Sequence, residues 1–257
     1  MANPNRLKAR LAAGETVTGA WLEFGSPDVA EAMVRAGWDV IVVDCEHGAA
    51  GLESAWGLIR AVEAAGGEAV LRVPDLTEAT FKRALDRGAR SIMAPMVNDA
   101  ATAAQVASFC RYPPLGRRGY AAPIVRASGF GARPDYRATA HEELLLMVQV
   151  EHVDAVRDLE AIAAVPGVDM AFVGPNDLAG SIGLLERLTD PKVAALLDDI
   201  ERRAAAAGLM LGTITGEGRD WAALTRLGYR LIVGPNDISL LTAAARAAAQ
   251  ARDAAMG

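Results

Sequence analysis

Eight times along this chain a short, apolar, largely β-branched run gives way to a longer stretch whose apolar residues recur at helical spacing. The runs predict strands over 17–22, 40–44, 69–73, 91–96, 144–151, 169–173, 210–214 and 231–234. The stretches that follow predict helices over 27–36, 52–65, 77–87, 100–110, 153–164, 191–207, 220–227 and 238–256. Gly37, Gly66, Gly88, Gly208 and Gly228 stand where those helices should stop, as C-cap glycines do. Strands that alternate with helices pair in parallel, and eight such units in 257 residues match the size of a (β/α)8 barrel. The expectation is an α/β chain with one barrel domain spanning 1–257.

With 52% hydrophobic and 23% charged residues, one large core is easily supplied. The formal net charge of -6 and the lack of a basic stripe argue against nucleic acid as a partner. No apolar stretch reaches the ~18 residues of a membrane span, and MANPNRLKAR does not read as a secretory signal, so the expected location is cytoplasmic. Cys45 and Cys110 have neither metal-binding nor redox spacing and are read as reduced thiols.

Chemistry concentrates at predicted strand ends, where a barrel gathers its site. Glu151 in VQVEH and Asp177 in FVGPNDL can meet there as a carboxylate pair for a hard divalent cation, with positions left for water and a chelating substrate; Mg²⁺, Mn²⁺ and Co²⁺ suit it. The run GPND occurs at 174–177 and again at 234–237, and either Asp can simply cap a helix. Gln149 shares a face with Glu151, whereas His152 faces away. His47 in DCEHG follows a predicted strand end and is the candidate for proton transfer, against the reading of a surface histidine. Asp44 and Glu46 stand beside it to orient it or to hold water. Arg72 in LRVP either stabilises an oxyanion or serves a structural ion pair. Backbone N–H groups around Pro175, Asn176 and Asp177 can bind a carboxylate, although proline itself offers none. The segment 112–140, rich in Gly, Pro and Arg, is too long for an idle connection and is expected at a mouth or an interface. Its Arg117, Arg118 and Arg126 can attract an acidic ligand or hold subunits together. The three lysines, Lys8, Lys82 and Lys192, lie at no predicted strand C-terminus, which argues against Schiff-base chemistry.

Taken together, GAWLEFGSPDVAEAMVRAGWDVIVVDCEHG, LRVP, ALDRGARSIMAPMV, YPPLGRRGY, VQVEH and VDMAFVGPNDLAGSIG resemble the metal-dependent, class II 2-oxo-acid aldolases of the 4-hydroxy-2-oxoheptanedioate and 2-dehydro-3-deoxyglucarate aldolase type. The resemblance covers most of the chain. It implies a barrel whose last helix is exchanged between subunits in a homohexameric trimer of dimers, with Glu151 and Asp177 as metal ligands. It implies reversible cleavage of 4-hydroxy-2-oxo acids to pyruvate and an aldehyde, with Arg72 stabilising the enolate and His47 moving a proton. It also pairs His47 with Asp86, from the same or a neighbouring subunit; by itself Asp86 reads as an exposed helix acid. Trp21, Phe172 and Ile214 match positions that overlook the substrate, yet each also reads as barrel core. The alternatives are oxaloacetate decarboxylation on the same scaffold, a phosphate-binding isomerase barrel, and a binding barrel without turnover.

Overall fold

The computed structural model describes residues 5–256. β1 (Val17–Leu22), β2 (Val40–Asp44), β3 (Glu68–Arg72), β4 (Ser91–Ala94), β5 (Leu145–Val150), β6 (Met170–Val173), β7 (Met210–Ile214) and β8 (Leu231–Asn236) pair in chain order, all in parallel. β8 closes on β1, which makes the expected barrel. Three strands have the expected bounds and the others differ at their ends. The five glycines expected to end helices all have positive φ.

Side chains alternate across the sheet. Val17 and Trp21 of β1, Val40 and Val42 of β2, Val70 of β3, and Met147 of β5 fill the lumen. Their neighbours Ile41, Val43, Leu71, Leu146 and Val148 face the surrounding helices. Those helices are α2 (Pro27–Arg35), α3 (Ala55–Ala65), α4 (Glu78–Asp86), α5 (Ala100–Cys110), α7 (Val153–Arg157), α8 (Leu159–Ala163), α10 (Pro191–Ala207) and α11 (Trp221–Arg226).

Departures from expectation fall near the N-terminus, within 153–164 and directly after β6, whereas the last helix runs as expected and starts one residue earlier. α1 (Arg6–Ala12), which the periodicity did not reveal, plugs the end of the barrel where the strands begin: Leu7 and Leu11 join the lumen cluster, and Lys8 pairs with Asp169 at 2.9 Å just before β6. The single helix expected over 153–164 is broken into α7 and α8 at Asp158, whose carboxylate accepts the Ala100 N–H at 2.6 Å at the start of α5. α9 (Pro175–Ser181) follows β6 directly. α12 (Asp237–Met256) runs for 20 residues, of which only Asp237 is buried.

The long segment leaves α5 and returns, through a short 3-10 turn and α6 (Tyr136–Glu143), to the start of β5. It packs over the outer side of α4, with Arg117 on Glu78 at 3.0 Å and Arg118 on Asp86 at 2.8 Å. Arg126 reaches Glu63 at 3.1 Å. Of the two expected places, mouth or interface, the mouth is corrected: within the chain no residue of this segment lines the cavity at the C-terminal ends of the strands.

Candidate active site

The alternation that fills the lumen decides what stands above it. On β2, 40 and 42 point inward, so Asp44 does too; on β3, Val70 is followed by Arg72; on β5, Leu145 and Met147 are followed by Gln149 and Glu151. At the C-terminal ends of the strands Arg72, Gln149 and Glu151 meet a cavity of about 270 Å³, while Asp44 is fully buried and does not line it. Trp21 and Phe172 form its floor, edge to face with ring centroids 6.1 Å apart, and Ile214 lines its wall. Gly212 of β7 leaves room for this pair, because a Cβ there would lie 2.7 Å from the Phe172 ring. Trp21, Phe172 and Ile214 are thus both upper barrel packing and cavity lining.

Arg72 is buried and held in a fork. Its Nε donates to Asp44 Oδ1 at 2.8 Å and one Nη to Asp44 Oδ2 at 2.5 Å, while the other Nη lies 3.1 Å from Glu46 Oε2. The guanidinium also stacks on Trp21, 4.5 Å from the ring centre. Burial pushes the Asp44 carboxyl up, but the bonds from Arg72 overcome it and hold Asp44 below its ordinary value. The ion-pair and cavity readings of Arg72 therefore hold together: its planar head is fixed by two acids and still lines the cavity.

Glu151 is buried, with Oε1 accepting the Met96 N–H and Oε2 the Gln149 amide, both at 2.7 Å. Met96 has φ 50, a left-handed conformation unusual outside glycine, which turns its N–H onto the carboxylate at the end of β4. Burial pushes the Glu151 carboxyl up to about 7, with Glu46 and Asp177 adding like-charge repulsion. Gly174 allows the end of β6 to come close, since a Cβ would meet Glu151 Oε2 at 2.7 Å. Gln149 Oε1 is buried without a hydrogen-bond partner. Asp177 is not the cap of α9; Gly174 is, and Asp177 sits in the first turn, exposed and without a side-chain hydrogen bond among the described residues. Pro175 and Asn176 line the same cavity.

These acceptors fit a hard divalent cation. Glu151 and Asp177 line one cavity with an orphaned amide oxygen, and neither carboxylate forms an ion pair there. No group of three or more His, Cys, Asp or Glu among the described residues makes a closed site, so most positions around a cation would fall to water and ligand.

The other expected residues are elsewhere. His47 is exposed above the cavity, its Nε2 3.9 Å from Glu46 Oε2, and it does not line the cavity. Asp86 ends α4, which runs back toward the strand beginnings, and is bonded to Arg118. Within one chain the structure does not bring His47 and Asp86 together. His152 faces away as expected, with Nδ1 accepting the Asp154 N–H at 3.2 Å as the cap of α7. Cys45 and Cys110 are buried and unpaired.

Glu23, Thr215, Asn236 and Ser239 line the cavity without having been singled out from sequence. Glu23 had a legible signal, for it extends the inward row of residues 17, 19 and 21. The Met96 N–H had none, because any residue type supplies a backbone donor.

Known proteins match this chain along nearly its whole length. The profile of a family described as HpcH/HpaI aldolase/citrate lyase matches residues 18–243. A hydroxypyruvate/pyruvate aldolase of Agrobacterium fabrum is 40% identical over 211 residues, 82% of this chain and 79% of the relative. A 2-dehydro-3,6-dideoxy-6-sulfogluconate aldolase of Pseudomonas putida is 34% identical over 223 residues, 87% of each. Among solved structures, a HpcH/HpaI aldolase/citrate lyase family protein from Burkholderia cenocepacia superposes with a TM-score of 0.91 at 38% identity, covering 97% of this chain and 99% of that one.

Proposed function

Because this chain belongs to the HpcH/HpaI aldolase/citrate lyase family, as an aldolase, we propose that it reversibly cleaves 4-hydroxy-2-oxo acids to pyruvate and an aldehyde. Glu151 and Asp177 would hold the divalent cation the reaction needs, of the Mg²⁺, Mn²⁺ or Co²⁺ kind. The observation that carries this reading is the buried Glu151 carboxylate, which has two neutral donors but no ion pair, beside an unbonded Asp177. When bound, the cation would draw electron density from the carboxylate and keto group of the 2-oxo acid and so acidify its methyl group.

The remaining work falls to the chain. Arg72 spends three of its five N–H donors on Asp44 and Glu46, which leaves two for the negative charge that develops on the keto oxygen as the methyl proton passes to a solvent base. Its acids and Trp21 hold the head still, so little reorganisation is required at that moment. Gln149 positions Glu151 through its amide and offers Oε1 to a water or ligand. Pro175 fixes the first turn of α9, whose Asn176 and Asp177 N–H groups suit the substrate carboxylate. Trp21, Phe172 and Ile214 shape the space left for the aldehyde. His47 moves the proton at the hydroxyl formed from the aldehyde, and its pairing with an aspartate requires the partner subunit's Asp86. An assembly that exchanges α12, as a trimer of dimers, is supported by Leu240, Leu241 and Met256, exposed on a helix that packs little against its own barrel. The two buried, unpaired thiols suit a cytoplasmic protein.

The test is exchange of the pyruvate methyl hydrogens with solvent deuterium, followed by NMR. Exchange should stop on chelation and return with Mg²⁺, Mn²⁺ or Co²⁺. Exchange that persists undiminished in chelator would contradict the metal reading.

A further inference from the structure

Glu23 follows β1 on the inward side and lines the cavity half-buried. Its backbone is pinned twice, its N–H donating to Asp237 Oδ1 at 2.9 Å and its carbonyl accepting the Ala49 N–H at 2.8 Å. Its carboxylate has no hydrogen-bond or ion-pair partner among the described residues. The adjoining wall is built by an irregularity: Gly19 pairs with Val233, but Trp21 pairs with Asn236, so β8 carries one residue more than β1 at this point. Paired residues share a face, and the extra residue therefore brings Asn236 to the inward side with Trp21. Asn236 Oδ1 accepts the Ser239 N–H at 2.6 Å, while its amide nitrogen has no partner among the described residues.

We infer that Glu23 and Asn236 form the aldehyde end of this cavity and select neutral, hydroxyl-bearing aldehydes over aldehydes that carry a carboxylate or phosphate. The inference rests on the aldolase reading. A hydroxyl can donate to the free carboxylate and accept from the free amide, so a polyol chain satisfies both. An anionic aldehyde meets an unneutralised like charge instead, and Arg72, the one arginine lining the cavity among the described residues, is held by Asp44 and Glu46 with its two remaining donors turned to the keto oxygen. Arg117, Arg118 and Arg126 offer no remedy within the chain, for they pair with Glu78, Asp86 and Glu63 away from the cavity.

The experiment compares kcat/KM for addition of pyruvate to glyceraldehyde and to succinic semialdehyde in the wild type, Glu23→Gln and Glu23→Lys. The ratio of the two cancels any loss that both reactions share. The wild type should favour glyceraldehyde; Glu23→Gln should lower the ratio by about tenfold, the scale of one unit charge a few ångströms away in a half-solvated cavity, and Glu23→Lys should lower it further. A wild type that favours the semialdehyde, or a ratio unchanged in both variants, overturns the inference while leaving the aldolase reading intact. Failure of wild-type pyruvate to exchange its methyl hydrogens overturns the aldolase reading and this inference with it.

Discussion

Arg72 and His47 differ in how tightly the fold holds them, and that difference predicts how their loss will register. Arg72 is clamped by two acids on the face of Trp21, so Arg72→Lys keeps the charge and loses the planar fork. Pyruvate methyl exchange should then fall by ~10²-fold or more, with cation binding retained. His47 stands exposed beyond the cavity lining, so His47→Ala should lose ~10² to 10⁴-fold in aldol turnover while part of the exchange survives. Wild-type exchange and wild-type turnover in both variants would contradict these assignments. Glu151 carries a pH dependence. Burial raises its folded pKa to about 7, above the ordinary 4.5, so between those values the folded, metal-free protein binds more protons than the unfolded chain. Its stability must therefore fall as pH rises through that window, by on the order of 3 kcal/mol from this group alone. Urea midpoints in chelator should drop between about pH 5 and pH 7.5, Glu151→Gln should flatten the drop, and added Mg²⁺ should offset it at the upper pH.

The two GPND runs show how much, and how little, a short element reveals. From sequence both aspartates read as caps, and neighbourhood alone told them apart. In the structure Asp237 is buried, its carboxylate accepting the N–H groups of Glu23, Phe24 and Ile238, and so ties the start of α12 to the end of β1. Asp177 has no such bonds. Asp237→Ala should accordingly cost about 1–3 kcal/mol in urea unfolding, whereas Asp177→Ala should keep the wild-type midpoint in chelator and lose metal-dependent turnover. The reverse pattern would exchange their roles. The eight strands were found because lumen and helix layers bury both faces of nearly every one, so each reads as a continuous apolar run. Periodicity gave α9 no bounds because seven residues are too few to show an apolar repeat, although the cap reading of Asp177 implied a helix start there, and it missed the break at Asp158 because the residue that demands it, Ala100, is distant in sequence. The separation of Asp86 from His47 follows from helix direction, which composition does not display.

For the molecule as a whole, the closed barrel was legible in the repeat, and most of the cavity was legible once strand ends were combined with inward parity. Glu23 could have been found that way; the bulge that delivers Asn236 could not, since register is set by the pairing of β8 with β1. Assembly is a matter of surface, and there the apolar residues of α12 are the guide. Ending the chain after residue 239 should convert the proposed hexamer into smaller species by light scattering after gel filtration, and a wild type that elutes as a monomer would contradict the proposed exchange of α12. The central claim is that Glu151 and Asp177 form the site of a cation-dependent aldolase. It is tested most directly by coupled measurement of pyruvate release from a 4-hydroxy-2-oxo acid, before chelation, after it, and after restoring Mg²⁺, Mn²⁺ or Co²⁺. The account predicts release that is abolished by the chelator, restored by the cation, and absent in folded Asp177→Ala under every condition; release indifferent to chelation, or retained by Asp177→Ala, would contradict it.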